Sequence, residues 1–490
     1  MLPYSSLIVL DRQSAIPLYQ QIAHGLIQLI QTRVLQPEAI LPGTRQMAKF
    51  LTVHRKTVIA AYDELYAQNW VDILPRRHIK VAQTLPNLNP LDWQTSASAD
   101  YPTRLNSYVH TVQKETINRP KKSINPVNLR IDDGFPDERI APFDLLLREY
   151  RSLTRRNALG RTYQPTEASG AKLLRQTLVS YLSITRGLSL KDNNILITQG
   201  AQMGLYLAAS LLIQPGDYVI VGEPGYFLAN AVFEQLGAKI LPVAVDDNGL
   251  DISSVQTLCQ THPVRLVYVI PHHHHPTTAT LSAERRMGLR QLAQRFSFAI
   301  LEDDYDYDFQ YNAAPYLPIA SARQEGTVIY IGSFSKALSR SVRIGFMVAS
   351  ADLIERALQL RRLIDLSGDQ YMETALATLI QNGDIGRHLK RASKLYRSRR
   401  DWLCTLLDTH LSQVLTFRKP TGGMAIWAKF DHSYLLATIA QEAAQQGLLM
   451  SNGNLYNTNG QTYNALRIGF ASLTEKEMEQ VVLILAKITS

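Results

Sequence analysis

The chain has 490 residues, room for two to four domains at ~100–200 residues each. Its 46% apolar and 19% charged residues describe a folded chain with a sizeable core and exclude wholesale disorder. The 51 Lys+Arg against 42 Asp+Glu leave a net charge of +9, a mild bias toward a polyanionic partner that many proteins of this size share without having one. The longest apolar stretch, 205–213, falls far short of the ~20 residues a membrane helix needs. Residues 7–10 are too short an apolar run for a signal peptide before Asp11 and Arg12. Two cysteines, Cys259 and Cys404, are too few for a disulfide framework or a zinc cluster. Together these features predict a cytoplasmic chain with no membrane span.

The order along the chain is small head (1–82), linker (83–128) and large body (129–490). In the head, Ile22, Leu26, Leu29 and Ile30 share one helical face and predict a helix over 17–33. Leu41-Pro42-Gly43-Thr44 breaks the chain, and Thr44 is a candidate cap for a second helix over 45–51, with Met47 and Leu51 inward. After the short turn Thr52-Val53-His54, a third helix over 55–68 is expected to bury Val58, Ala61, Tyr62 and Leu65. This is the spacing of a helix-turn-helix. Arg55, Lys56 and Thr57 open the third helix, where Arg can read guanine and Lys and Thr can bind phosphate; Arg45 opens the second. The segment 70–81 reads as strand, turn and strand, with Arg76 and Arg77 in the turn, a wing in outline. A small helical domain with a solvated basic face fits the same pattern.

The linker holds Pro86, Pro90, Pro102, Pro120 and Pro126 and the polar run 94–100, and reads as extended chain with room for a short helix over 105–112. The body alternates amphipathic helical segments with short apolar runs at 194–198, 218–221, 266–270, 298–301 and 328–331. That alternation predicts an α/β fold with a mostly parallel sheet covered by helices. From about 368 the chain becomes helix-rich, with strands near 424–428 and 466–470, and reads as a smaller α/β lobe.

Chemistry-bearing residues collect just after the predicted strands. Lys336 follows 328–331 within Gly332-Ser333-Phe334-Ser335-Lys336, at the edge where such sheets bind ligands. Its amine can form a Schiff base with an aldehyde cofactor, and Arg343 can pair with a phosphate. Alone, such a lysine is usually a solvated surface residue. The strand 298–301 is followed by Glu302-Asp303-Asp304-Tyr305, carboxylates able to pair with a protonated pyridine nitrogen, to hold Mg²⁺, or to form a solvated loop. Gly200-Ala201-Gln202 offers backbone N–H groups to an anion, and Tyr226 a ring to stack. His272–His275 invites a metal reading, but neighbours on an extended chain point to opposite faces, so no metal is expected.

Two resemblances follow from these motifs. Pro17-Leu18-Tyr19-x-Gln21-Ile22, Leu41-Pro42-x-x-Arg45-x-x-Ala48, Val53-x-Arg55-x-Thr57-Val58 and Tyr62-x-x-Leu65 resemble the winged-helix head of GntR-type bacterial regulators, whose wing usually carries glycines where this chain has Arg76-Arg77-His78. From about Asp132 to the C-terminus the chain resembles fold-type I aminotransferases. That resemblance implies pyridoxal 5′-phosphate as cofactor and Lys336 as Schiff-base lysine. It implies Asp303 on the pyridine nitrogen and Tyr305 on the ring oxygen. Gly200, Ala201, Gln202, Ser333, Ser335 and Arg343 would lie on the phosphate, with Tyr226 stacked on the ring. It further implies Tyr163 reaching the neighbouring subunit's phosphate and Arg467 gripping a substrate α-carboxylate, although an arginine on a buried strand is otherwise most often an internal ion-pair partner. His275 stands where the family contacts the ring oxygen, and Thr278 replaces the glycine of a Pro-Thr-Gly loop. The two halves together resemble the MocR subgroup of GntR regulators. The resemblance implies a head-to-tail homodimer that binds a double-stranded DNA operator and senses pyridoxal phosphate or an amino compound. A working aminotransferase with an accessory head is the alternative, and a DNA-binding protein whose body only dimerises is a third.

Overall fold

A computed structural model describes residues 2–12, 14, 16–73, 79–83, 129–155, 167–311, 316–322, 326–457 and 461–490. The chain divides into two compact units. The expected linker from residue 84 on, with its short helix, the wing residues Arg76 and Arg77, and Tyr163 lie outside the described residues.

In the head, α1 (Tyr4–Leu7) precedes α2 (Leu18–Gln31), α3 (Thr44–Leu51) and α4 (Arg55–Ala67), followed by the antiparallel pair β1 (Val71–Ile73) and β2 (Ile79–Val81). The periodic apolar residues do what their spacing demands: Ile22, Leu26 and Ile30 of α2 pack with Met47 of α3 and with Val58, Ala61 and Leu65 of α4 in one buried cluster. One local expectation is corrected. Thr44 is not a cap but the first residue inside α3, after Gly43, and its hydroxyl accepts from Arg55 Nε at 3.2 Å. The cap on α4 is His54, whose Nδ1 accepts from the Lys56 backbone at 3.2 Å.

The body elements in order are β3 (Leu129–Arg130), α5 (Phe143–Arg155), α6 (Lys172–Arg186), β4 (Ile195–Thr198), α7 (Ala201–Leu212), β5 (Tyr218–Glu223), α8 (Phe227–Gln235), β6 (Lys239–Asp246), β7 (Gly249–Leu250), α9 (Ile252–Thr261), β8 (Val264–Val269), α10 (Ala283–Phe296), β9 (Ala299–Asp304), β10 (Val328–Ser333), β11 (Gly345–Val348), α11 (Ala351–Arg362), α12 (Gln370–Gln381), α13 (Asp384–Leu411), β12 (Leu415–Phe417), β13 (Ala425–Phe430), α14 (Leu436–Gln445), β14 (Leu448–Leu449), β15 (Ala465–Gly469) and α15 (Glu475–Thr489). Eight strands form one sheet in the order β4-β11-β10-β9-β8-β5-β6-β7. The pairs β10/β9, β9/β8, β8/β5 and β5/β6 are parallel; β4/β11, β11/β10 and β6/β7 are antiparallel.

Both faces of the sheet are covered. Ile195, Ile197, Val267, Val328 and Tyr330 face a core shared with α6, α9, α10 and α12; their neighbours Leu196, Leu266, Ile329 and Ile331 face a second core shared with α7, α8 and α11. The alternation is the period of two of a strand, and burial on both faces explains why these strands read as continuous apolar runs. The smaller lobe packs the antiparallel sheet β12-β13-β15 against α13, α14 and α15. Its core starts later than residue 368: Ala375, Leu376 and Leu379 of α12 and Ile385 of α13 still belong to the large core, and the second lobe's core takes over on α13 from Ala392. Apolar spacing gives helices but not which core they serve, so the expected lobe boundary was early. Among the described residues no helix is long and apolar enough to cross a membrane.

Candidate functional site

The topology brings distant motifs together. Gly345, which opens β11, pairs with Thr198 at the end of β4 on one side and with Ser333 at the end of β10 on the other. The turn before β11 therefore sets Arg343 against the turn after β4: its Nη2 donates to Gln199 O at 2.9 Å, and a Cβ added to Gly200 would lie 2.9 Å from it. Gly200 has φ of +83°, a conformation glycine adopts freely, and leads into α7 with no side-chain cap. Ala201 and Gln202 thus present the start of a twelve-residue helix, where unpaired N–H groups and the helix dipole favour an anion. Ser333 and Ser335 complete this end, hydrogen-bonded to each other at 3.1 Å.

The acidic run is corrected in one respect. Its strand does not stop at Leu301: β9 continues to Asp304 and takes in all three carboxylates. Alternation then separates the three carboxylates. Glu302 accepts from the backbone N–H groups of Ile319 and Ala320, at 2.8 and 2.9 Å. Asp304 meets Tyr330 Oη at 2.8 Å and His272 Nδ1 at 2.9 Å. Asp303 points to the other face, where Tyr268 Oη donates to Oδ2 at 2.8 Å while the buried Oδ1 has no partner among the described residues. Burial pushes its carboxyl up to about 7, with the neighbouring Asp304 and Asp306 adding to the rise.

Lys336 is half-buried past the end of β10. Its Nζ donates to Gly134 O and lies 4.4 Å from the centre of the Phe135 ring and 5.5 Å from that of Tyr305. Burial, helped by the charge of Arg467, lowers its amine to about 8. Lys336, Asp303, Tyr305, Tyr226, His275, Ala201, Gln202, Ser333, Ser335 and Arg343 all line one cavity of about 920 Å³. Tyr226 donates to Gln202 Oε1 at 3.3 Å.

Arg467 is not one of the cavity's walls. It lies in β15 with 1% of its side chain exposed, ion-paired to Asp133, which does line the cavity. Tyr305, expected on a ring oxygen, uses its hydroxyl to donate to His273 O at 3.0 Å and to accept from Arg467 Nη2 at 3.1 Å. Asp133, Phe135, Glu138 and Arg340 are cavity residues that sequence reasoning missed. Asp132-Asp133-Gly134-Phe135-Pro136 carries a turn signature, but nothing local says that this turn meets a strand more than three hundred residues away.

The four histidines are buried and go to four separate partners: His272 to Asp304, His273 to Asp306 (2.9 Å), His274 to Pro224 O (2.9 Å) and His275 to Asp133 (2.8 Å). Burial lowers His274 to about 4 and also lowers His275. Thr278, in place of a glycine, is held at φ of +61°. In the head, Arg45, Arg55 and Lys56 are exposed and Thr57 is half-buried.

A cavity at the carboxyl edge of a mostly parallel sheet, walled by Lys336 and Asp303, defines a body of the fold-type I aminotransferase class, and α2, α3 and α4 with the strand pair that follows define a helix-turn-helix head. Residues 148–485 match the family of aminotransferases class I and II, and residues 18–81 match the bacterial regulatory proteins of the gntR family. The chain belongs to the aminotransferase class I and II family, fused behind a GntR head in the architecture of MocR-type regulators. It is 27% identical over 481 residues to the probable rhizopine catabolism regulatory protein MocR of Rhizobium meliloti, covering 97% of this chain and 94% of that protein. It is 31% identical over 286 residues to the HTH-type transcriptional regulator TauR of Rhodobacter capsulatus, covering 58% and 57%. Among solved structures, an archaeal alanine:glyoxylate aminotransferase superposes with a TM-score of 0.69 at 28% identity, covering 74% of this chain and 90% of that one. The aminotransferase class I and II family depends on pyridoxal phosphate.

Proposed function

We propose that the chain is a DNA-binding transcriptional regulator whose body holds pyridoxal 5′-phosphate and senses that cofactor, or an amino compound bound with it. The observation that carries this reading is the fusion of a GntR head to a body in which Lys336 and Asp303 share one cavity. The residues present fit the cofactor. Asp303 Oδ1 is buried without a partner, which suits a protonated ring nitrogen. Gly200 leaves no room for a side chain beside Arg343, so backbone and guanidinium approach one anion together. Ser333, Ser335, Arg343 and the start of α7 would take the phosphate, Tyr226 would lie against the ring, and Tyr305 and His275 are candidates for its oxygen side. Tyr163 is a candidate for the phosphate of a second copy in a head-to-tail dimer. Bound there, the cofactor supplies an aldehyde that captures primary amines and a ring that withdraws electrons.

Arg45, Arg55, Lys56 and Thr57 would meet DNA, with Arg76 and Arg77 as candidates on the wing. A ligand switches the head only through different affinities for two body states. The test is binding to DNA from the chain's own upstream region, at one stated salt, with and without pyridoxal phosphate and then with a panel of amines. A change of about 5–150-fold is expected. DNA affinity that ignores both ligands, beside steady turnover of amino and keto acids, would instead favour the aminotransferase reading.

The lowered Lys336 amine gives a second prediction. Only the neutral amine attacks an aldehyde, so loading of cofactor-free protein should quicken about tenfold per pH unit up to about pH 8 and level off above it. Stopped-flow absorbance measures this. A rate still climbing toward the ordinary lysine range would mean that Lys336 is not desolvated.

A further inference from the structure

We infer that the pocket is built for a primary amine with no carboxylate beside the amine, because Asp133 of this chain already occupies the place on Arg467 that such a carboxylate would take. This rests on the cofactor reading above and names the class of amine sensed.

Among the described residues, all three guanidinium nitrogens of Arg467 are engaged. Nε donates to Asp133 O at 3.1 Å and pairs with Asp133 Oδ1 at 3.2 Å. Nη1 donates to Pro276 O at 3.3 Å, and Nη2 to Tyr305 Oη at 3.1 Å. Asp133 and Tyr305 line the cavity and Arg467 does not, so these two residues stand between a ligand and the guanidinium.

Both carboxylate oxygens of Asp133 are engaged, although 40% of its side chain is exposed where it lines the cavity. Its Oδ2 meets His275 Nε2 at 2.8 Å, and Oδ1 accepts from Tyr456 Oη at 3.2 Å. The turn that carries it is pinned by Asp132, which accepts from the backbone of Gly134 and Phe135 at 2.8 and 3.0 Å and from Ser472 Oγ at 2.6 Å. Gly134, at φ of +84°, lies so close to Ala425 that an added Cβ would be 3.0 Å from its side chain. The loop cannot swing out without giving up these contacts. A ligand carboxylate directed at Arg467 would then lie against a fixed carboxylate, a repulsive element that selects against α-amino acids. An amine lacking that group leaves the Asp133–Arg467–His275 cluster intact, and an additional ammonium would face Asp133 and Glu138, both in the cavity wall.

The test uses 1,4-diaminobutane and L-ornithine, which differ by one carboxylate. Cofactor loading of the full chain is read first from its visible colour; failure at that step is a failure of the cofactor reading and is seen before any amine is added. Each amine is then titrated calorimetrically into the loaded protein. The diamine should bind at least about tenfold more tightly in the native chain, and Asp133→Asn should narrow or reverse the difference. L-Ornithine bound as well as the diamine, no heat from either, or an unchanged difference in a folded, loaded Asp133→Asn would each overturn the inference. Should the variant fail to fold, the native comparison decides alone.

Discussion

Lys336→Ala should leave a folded chain that no longer retains pyridoxal phosphate covalently. The visible band of the lysine-bound cofactor disappears, and borohydride no longer fixes the cofactor to the peptide containing position 336. The loss should be complete, not graded, because a covalent bond is removed and the remaining contacts are individually modest. Folding should survive, since the substitution takes a charged group out of a partly desolvated site and gives up one hydrogen bond to Gly134 O. Near-ultraviolet circular dichroism separates this outcome from misfolding. A native spectrum with an unchanged visible band would place the reactive amine elsewhere.

Arg55→Ala should weaken operator binding about 10- to 100-fold while leaving the colour of the body unchanged, the range expected for losing one bidentate base contact. Arg55 is exposed at the first turn of α4 and bonded to Thr44 of α3, so the change removes a surface cation without opening the core built on Ile22, Met47 and Val58. Fluorescence anisotropy on operator and unrelated DNA separates two outcomes. Loss on both sequences equally would make Arg55 a phosphate contact; loss on the operator alone would make it a reader of base edges. Unaltered affinity on both would remove Arg55 from the interface.

The head was legible because its stability is local: Ile22, Leu26, Leu29 and Ile30 declare a helix face within nine residues, and the structure buries all four. β10 was legible for a different reason, as an apolar run buried on both sides of the sheet. β6 was not, because it lies toward the margin of the sheet, where Pro242 and exposed positions such as Lys239 and Asp246 blur the pattern. β11 escaped notice as four residues after a loop that reads as polar. One end of the cavity rests on short motifs that each lie at the end of a strand, so residues such as Ala201, Ser333, Lys336 and Arg343 were found. The opposite end depends on Asp133 meeting Arg467, a contact between the first and last segments of the body that leaves no trace in spacing. The structure pairs Arg467 with Asp133, as the general expectation for an arginine on a buried strand has it.

The run of four histidines behaves as a set of independent fasteners. One tethers the acidic tip of a central strand, one Asp306 beyond it, one the Pro224 turn and one the cavity wall at Asp133. The four are not equivalent: His272 and Asp304 are both fully buried, so losing that imidazole strands a buried carboxylate, whereas Asp133 keeps an exposed side. The repetition that looks like a trap for a metal ion ties down four separate points, of which one, Asp133, stands in the cavity wall.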